Sequence, residues 1–243
     1  MICKNCSNEY QGNFCNSCGQ SSKQKRIDAK YLFVDIPNSI LQINHGFFFT
    51  IKEMFLRPGD SIREFLEGKR KKHYKPIAFL LLTSVLYVLV SRTSGNDTFI
   101  DDFMVGIKSG GDAGLSKTAF LSWISHNQSY GQLLLLPFFA LASYLAFKRS
   151  GYNYFEHFVL NAYITGQQMF IYLLFALVPN KGNFLESIPY LITFIFNILV
   201  FVNFFNAKKT GSAVGLILLT YFIFFLEILV AIFITGWALK YLF

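Results

Sequence analysis

The sequence contains little charge and almost no cysteine. Only 15% of its 243 residues are charged, against roughly a quarter in ordinary soluble domains, while 53% are hydrophobic and the mean hydropathy is +0.40. This composition excludes a chain that folds around one water-soluble core, because the apolar residues come in long blocks. All four cysteines lie within the first 18 residues. No apolar stretch precedes them, so we expect no signal peptide.

The sequence also lacks the motifs of several enzyme classes. It contains no GxSxG, no P-loop, no GxGxxG and no HExxH, so acyl transfer, nucleotide-driven chemistry and metalloprotease activity have no support. The chain carries a net charge of +8, which in a soluble protein would suggest nucleic acid. Orientation in a membrane requires the same positive charge. The sequence therefore favours a non-enzymatic membrane protein without a nucleic-acid partner.

The densest cationic stretch is GKRKKHYKP, at 68–76, and an apolar run follows it directly. A basic cluster beside an apolar run places that end of the run at the cytoplasmic face. Residues before the stretch are then cytoplasmic, and residues after it form the membrane domain. Such a cluster also attracts anionic lipid headgroups. Its predicted lipid-facing residues are Lys69, Arg70, Lys71, Lys72 and Lys75.

Two CxxC pairs, Cys3 with Cys6 and Cys15 with Cys18, predict a metal site in the head. Cytoplasmic thiols stay reduced, and zinc prefers four thiolates in a tetrahedron. We expect one structural Zn²⁺ per chain, because four protein ligands leave no open position for catalysis. Iron on the same thiolates is the alternative. The predicted zinc ribbon covers 1–22, and a polar, basic linker covers 23–30.

Residues 31–76 are predicted to form an amphipathic bridge on the cytoplasmic side. Apolar residues recur there at helical spacing, but no window is clean enough to span a bilayer, so helices lying on the membrane surface fit the pattern. Packing against the membrane domain explains the same pattern equally well. The segment from Arg57 to Asp60 contains Pro58 and Gly59 and breaks the helical pattern.

Five apolar blocks predict an all-α polytopic membrane domain over 77–243. If the blocks alternate in direction from a cytoplasmic N-terminus, 17 of the 22 lysines and arginines lie on the cytoplasmic side. This bias predicts the cytoplasmic (inner) membrane, with the C-terminus outside. The predicted helices are about 76–91, 131–147, 158–178, 189–207 and 212–238.

Polar residues inside the blocks are the best indicators of function. His157, Asn161 and Gln168 follow one face of the third helix, and Glu227 lies near the middle of the fifth. They predict a polar track for a proton, ion or small solute, with interhelical hydrogen bonding as the plainer alternative. Glu156 with His157, at the cytoplasmic mouth, is a candidate metal-binding or proton-shuttling pair.

These residues together resemble an uncharacterised family of bacterial polytopic membrane proteins that begin with a short zinc ribbon, a domain-of-unknown-function family. The most particular part of the resemblance is the pattern PGxxIxxFxxGKR. The resemblance implies a cytoplasmic ribbon fused to a multi-helix membrane domain, and it implies no activity. The matching residues are Cys3, Cys6, Phe14, Cys15, Cys18, Gly19, Gln20, His45, Gly46, Thr50, Arg57, Pro58, Gly59, Gly68, Lys69, Arg70, Tyr74, Pro76, Tyr154, Glu156 and His157.

Three functions follow from the sequence, in decreasing order of support. In the first, the ribbon and the basic bridge contact a cytoplasmic protein partner or the lipid surface. In the second, Glu227 and Gln168 serve a transporter or channel. Five helices are few for a monomeric transporter, so that function predicts a homo-oligomer. An intramembrane enzyme using Glu156 and His157 ranks last, because a complete catalytic constellation is missing.

Overall fold

The structure is a computed structural model that describes residues 1–32, 46–98, 100–102, 105, 123–124, 126–178, 183–206 and 210–242. Over these ranges it contains eight helices and no strand, although two isolated β-bridges occur in the head. The predicted middle of the bridge, 33–45, and the long loop around 108–114 lie outside the described residues. The helices are α1 (Gly46–Leu56), α2 (Pro58–Glu67), α3 (Pro76–Thr93), α4 (Gln128–Ala146), a 3-10 helix (Lys148–Ser150), α5 (Tyr154–Ala176), α6 (Asn183–Phe204) and α7 (Thr210–Leu242).

Five of these helices, α3 to α7, are long and apolar enough to cross a membrane. The predicted fold class, an all-α membrane protein with a cysteine-cluster head, is confirmed. Hydropathy alone does not locate the first residue of a helix that begins with a side-chain cap. Thus α5 begins at Tyr154, ahead of its apolar block, because Asn153 and Glu156 form a capping box. The domain boundaries stay a prediction.

Helix α5 is the centre of the bundle. Two-thirds of its spanning window is buried, against 11% for α7. Its tightest contact is with α3, where a Cβ on Gly166 would lie 2.5 Å from the ring of Phe79. Ala162, one turn earlier, is fully buried. Small residues four apart let two helix backbones approach closely, which in a membrane is a main source of association.

The spanning helices run alternately between two ends of the bundle. At one end, Arg63 of α2 donates to Phe204 O, the last residue of α6, at 2.8 Å. At the other end, Asn96 after α3 donates to Ala176 O, the last residue of α5, at 2.9 Å. We call these the head end and the far end, since residues 1–32 lie at the first.

Helices α1 and α2 pack against the bundle at the head end. In α1, Thr50 is fully buried and accepts the backbone N–H of Tyr74 at 2.7 Å, while Phe48 is 74% exposed. In α2, the backbone passes so close to α6 that a Cβ on Gly59 would lie 2.5 Å from Phe204 N. Glycine at this position therefore permits the helix crossing that joins the bridge to the membrane domain.

Candidate metal centre and head junction

The head consists of two similar halves that are offset by 12 residues. Ser7 N–H donates to Cys3 O at 2.9 Å, and Gly19 N–H donates to Cys15 O at 2.8 Å. Both turns end in the left-handed region, with φ of 59° at Ser7 and 69° at Gly19. The same offset relates the two β-bridges, Ile2–Glu9 and Phe14–Ser21. Each half is thus one CxxC turn closed by a short bridge.

The four predicted cysteines lie together, with all four sulfurs within 4.8 Å of one another. Cys3 Sγ is 3.6 Å from Cys18 Sγ, and Cys6 Sγ is 3.6 Å from Cys15 Sγ. Four sulfurs at about 2.3 Å from one ion in a tetrahedron are separated by ~3.8 Å. The cluster therefore has the size and the donor set of a four-thiolate metal site, and it could hold a metal ion.

The backbone of the second turn lowers the pKa of one thiol of the cluster. Burial raises the pKa of Cys15, but hydrogen bonds from the backbone N–H groups of Cys18 and Ser17 outweigh it and lower the pKa to about 6. A thiolate, not a thiol, ligates metal, so the backbone of the turn favours the ligating form. Tyr10 is the buried side chain that packs against this cluster.

An ion pair fastens the segment after the head to α5. Arg26 donates from Nε to Glu156 Oε1 at 2.8 Å and from a terminal nitrogen to Glu156 Oε2 at 2.7 Å. The same guanidinium donates to Gly151 O at 2.8 Å. Glu156 also accepts from Asn153 N–H in the capping box, and Asn153 donates to Ile27 O at 3.1 Å. Burial of Glu156 and the two-point geometry make this a strong type of contact.

A second set of contacts fastens the head to the end of α2. Gln20 is buried, donates to Gly68 O at 2.8 Å and accepts from Arg70 N–H at 3.2 Å. Gly68 caps α2 at φ 114°, a conformation that favours glycine. Arg70 turns inward, donating to Phe65 O at 3.1 Å and to Lys25 O at 2.9 Å. The motif residues therefore join head, bridge and bundle.

A cation-rich pocket of about 650 Å³, which we call the junction pocket, lies between residues 21–31 and the loop after α2. It is lined by seven basic side chains, one acidic side chain and three aromatic rings. Among the residues predicted to meet lipid, Lys71 and Lys75 line it, Lys72 is exposed, and Lys69 pairs with Glu64 at 3.2 Å. The basic residues of the pocket are Lys23, Lys25, Arg26, Lys30, Arg70, Lys71 and Lys75.

The predicted polar face of α5 lines a second cavity, of about 270 Å³, inside the bundle. There Gln168 donates to Asn197 Oδ1 of α6 at 3.0 Å, and Asn197 donates to the hydroxyl of Tyr221 of α7. Asn161 lies at one end of the same lining. Ten of the sixteen lining residues are polar and none is charged. The polar residues are Gln132, Asn161, Thr165, Gln168, Tyr172, Tyr190, Thr193, Asn197, Thr220 and Tyr221.

Glu227 does not belong to this cavity. Its side chain is half-buried in α7, and neither carboxylate oxygen has a hydrogen-bond partner among the described residues. The cavity joins α5 to α6 and α7 through amide and hydroxyl groups instead. The sequence placed Glu227 and Gln168 on one track, and the structure brings Gln168 to Asn197 and leaves Glu227 out.

Glu156 and His157 are neighbours in sequence but contact different parts of the structure. Glu156 faces Arg26, whereas His157 is fully buried in the bundle with Nδ1 3.0 Å from Ser143 Oγ of α4. Asn161 donates to the same Ser143 oxygen at 2.8 Å. Sequence reasoning missed Ser143, since a serine in an apolar block carries no signal of its partner. Complete burial of Ser143 leaves no route for a substrate, so this cluster connects α4 to α5.

Comparison with known proteins agrees with a membrane architecture and adds no activity. A family model described as protein of unknown function (DUF3667) matches residues 44–88. The chain is similar to that family over α1, α2, the basic loop and most of α3. No curated protein and no solved structure matches the chain. Five apolar helices and this similarity together fit an integral membrane protein with a head that could bind a metal.

Proposed function

We propose that the chain is a bacterial inner-membrane protein whose zinc ribbon and basic junction form a cytoplasmic recognition surface for anionic lipid headgroups. The bundle serves as the scaffold for this surface. The observation that carries the proposal is the two-point Arg26–Glu156 pair, which holds a cation-rich face against the head end of the bundle. A surface that is fixed in this way stays at the depth of the headgroups.

The distribution of charge supports a cytoplasmic head end. Lys148 and Arg149 are exposed in the 3-10 helix at that end, and Lys72 is exposed in the loop before α3. At the far end, Arg92 pairs with Asp101 at 3.2 Å. Lysines and arginines near the ends of spans determine orientation, so the head end is proposed to face the cytoplasm. Anionic lipid attracts each such residue by about 1 kcal/mol.

Zinc is the metal we propose for the head. Its preference for four thiolates in a closed tetrahedron fits the sulfur separations of 3.6 Å. So small a head has little core apart from Tyr10 and the cysteines, so metal binding would supply its folding free energy. The exposed apolar residues Ile2 and Phe14 occupy equivalent positions in the two halves of the head. They are the proposed contact for a cytoplasmic protein partner.

Hydrogen exchange in nanodiscs tests the lipid-surface function. We expect amides of 20–32 and 68–75 to exchange more slowly in nanodiscs that contain phosphatidylglycerol than in phosphatidylcholine alone, with the difference lost in high salt. Lys71→Glu with Lys72→Glu should remove the difference. Lys148→Glu with Arg149→Glu makes the same charge change at the same end outside the junction and should reduce the difference less, so an equal loss would place the lipid contact outside the junction. Equal exchange in both lipids would refute the proposal.

A second candidate function is passage of a small neutral solute through the bundle, which the 270 Å³ cavity favours. A volume of that size holds roughly nine waters at ~30 Å³ each. Its lining offers amides and hydroxyls without a charge, so an uncharged hydrogen-bonding solute fits better than an ion or a proton. With five helices, such a protein would work as a homo-oligomer.

Osmotic swelling of proteoliposomes in glycerol tests this candidate. Gln168→Leu should slow glycerol entry if the cavity conducts, because it removes the bond to Asn197 and fills polar space with apolar volume. Glu227→Gln is the control and should leave the rate unchanged, since Glu227 lies outside the cavity. A rate equal to that of empty liposomes for the unmodified chain would exclude the transport function.

A further inference from the structure

We infer that the junction pocket is a binding site for one phosphate-bearing group with at least two negative charges, a phosphomonoester or a diphosphate. The inference rests on the proposed function and names the ligand class of that surface. The pocket is a partly open cleft of about 650 Å³, so its cations line a concave surface. Its walls come from three parts of the chain, namely the segment after the ribbon, the end of α2 and the loop before α3.

The lining of the pocket carries more positive than negative charge. The one acidic side chain, Asp28, uses Oδ1 to accept the backbone N–H of Tyr31 at 2.9 Å. Arg26 is neutralised by Glu156. Of the six other basic side chains in the lining, four form no ion pair with a carboxylate in the described part of the chain. These four are Lys23, Lys25, Lys30 and Lys71.

The arrangement of the cations favours a compact anion. Lysine ammonium groups act as point charges on flexible stems, which suits phosphate oxygens that approach from several directions. Arg70 forms the fixed inner wall, with its guanidinium 4.7 Å from the ring centre of Tyr31 and 5.5 Å from that of Phe65. Lysines from two separate segments therefore line the pocket together with Arg70, which suits a multiply charged group.

The position of the pocket suits a ligand that comes from the membrane. Tyr74 and Lys75 line it and directly precede Pro76, the first residue of α3. A phosphorylated lipid headgroup can thus reach the pocket from the bilayer, and a free phosphate compound can reach it from solvent. Both carry the same chemistry, and the experiment below separates the two sources.

The pocket depends on the metal centre. Gln20 directly follows the second CxxC turn, and its side chain bonds to Gly68 O and to Arg70 N–H. Lys23, Lys25 and Lys30, which line the pocket, follow Gln20 in the chain. Lys71 Nζ lies 3.6 Å from the position of a Cβ on Gly19, so the basic loop touches that turn. Loss of the metal would release the turn and separate the lysines. We therefore expect phosphate binding to require a metal-loaded head.

Isothermal titration and native mass spectrometry of the metal-loaded full chain in an uncharged detergent test the inference. The probes are inorganic pyrophosphate, short-chain phosphatidic acid and, as a singly charged comparison, short-chain phosphatidylglycerol. We expect saturable binding of one molecule per chain. Tighter binding of phosphatidic acid than of pyrophosphate identifies a lipid headgroup, and the reverse order identifies a soluble phosphate compound. Saturable binding of neither pyrophosphate nor phosphatidic acid overturns the inference.

Matched variants locate the site. Lys25→Ala with Lys30→Ala should weaken binding by roughly 25-fold, since each lysine contributes about 1 kcal/mol, or ~5-fold. Lys148→Ala with Arg149→Ala should leave affinity unchanged, and an equal loss in both variants overturns the inference. Chelation should abolish binding, and undiminished affinity after metal loss overturns the coupling to the head. If the nanodisc exchange difference is found but one-to-one binding is not, the inference about the pocket is wrong and the proposed function stands. If neither is found, the proposed function is wrong as well.

Discussion

Breaking the Arg26–Glu156 pair should weaken the attachment of residues 20–32 to the bundle without unfolding the bundle. Glu156→Gln is the sharpest change, because glutamine keeps the capping-box contact to Asn153 N–H and removes the negative charge. Arg26→Gln removes the other partner. Residues 20–32 are held by this pair, by the bonds of Arg26 to Gly151 O and of Asn153 to Ile27 O, and by burial of Ile27 and Leu32 in the main core. Loss of the pair therefore weakens the polar part of that contact and leaves the apolar part in place.

The size of the effect follows from the exposure of the two partners. Glu156 is 5% exposed at its side chain and Arg26 is 61% exposed. Surface ion pairs contribute about 0–1 kcal/mol, and loss of one partner from a buried pair costs about 3–5 kcal/mol. An intermediate case with two charge-assisted bonds should cost about 1.5–2 kcal/mol, or roughly 10–30-fold in the docking equilibrium.

Hydrogen exchange of 20–32 in the full chain measures that equilibrium. We expect faster exchange in both single variants and no further acceleration in the double variant, which gives a coupling free energy of about 1–2 kcal/mol. Lys25→Gln is the control, because it removes one positive charge beside Arg26 that pairs with no carboxylate in the described structure. Additive effects of the two single variants, or the same acceleration in the control, would refute the reasoning.

Three further predictions concern the head and the loop after α2. Cys15→Ser with Cys18→Ser should abolish bound metal, and elemental analysis that still finds one zinc per chain would contradict the metal site. Ser7 and Gly19 both have positive φ, a conformation that favours glycine. Gly19→Ala should therefore lower the stability of the metal-loaded head by about 1 kcal/mol, and Ser7→Gly should raise it by about 0.5 kcal/mol. Chelator-induced unfolding of the two variants and the unmodified chain measures the order. Burial lowers the pKa of His73 in the folded chain. The contribution of His73 to stability is therefore complete above its unfolded pKa of about 6.5 and is lost as pH falls below that value. The free energy of unfolding at about pH 5 and at about pH 7.5 should differ less in His73→Gln than in the unmodified chain.

Much of the head could be predicted, because its geometry is local. Two CxxC pairs separated by only eight residues favour an arrangement in which the four sulfurs lie close together. The structure places these sulfurs within 4.8 Å of one another. The requirement for a left-handed residue after the second pair was also visible as Gly19. The matching conformation at Ser7 was not, because serine carries no comparable signal. The similarity of the two halves of the head is visible only in their backbone conformation and β-bridges.

The spanning helices were predictable from hydropathy, but their lateral neighbours were not. Helical periodicity predicts from the sequence that the amides of α5 share one face, and Asn161 and Gln168 line one cavity. Their partners come from α6 and α7, and Asn197 had no feature that marked it as the partner of Gln168. Glu227 was grouped with them by depth alone. Depth places residues along the membrane normal and leaves rotation about each helix undetermined.

The Arg26–Glu156 pair shows why the site lay beyond sequence reasoning. Its partners are 130 residues apart, and each had a plausible local role, as a linker cation and as half of a mouth pair. Joined, they bring the ribbon, the basic loop and the start of α5 into one body. The segment that follows the cysteine cluster and the cationic stretch then become two walls of one pocket. We expect a metal that holds the second CxxC turn to hold the spacing of charges across the pocket as well, which is why metal content and anion affinity should change together.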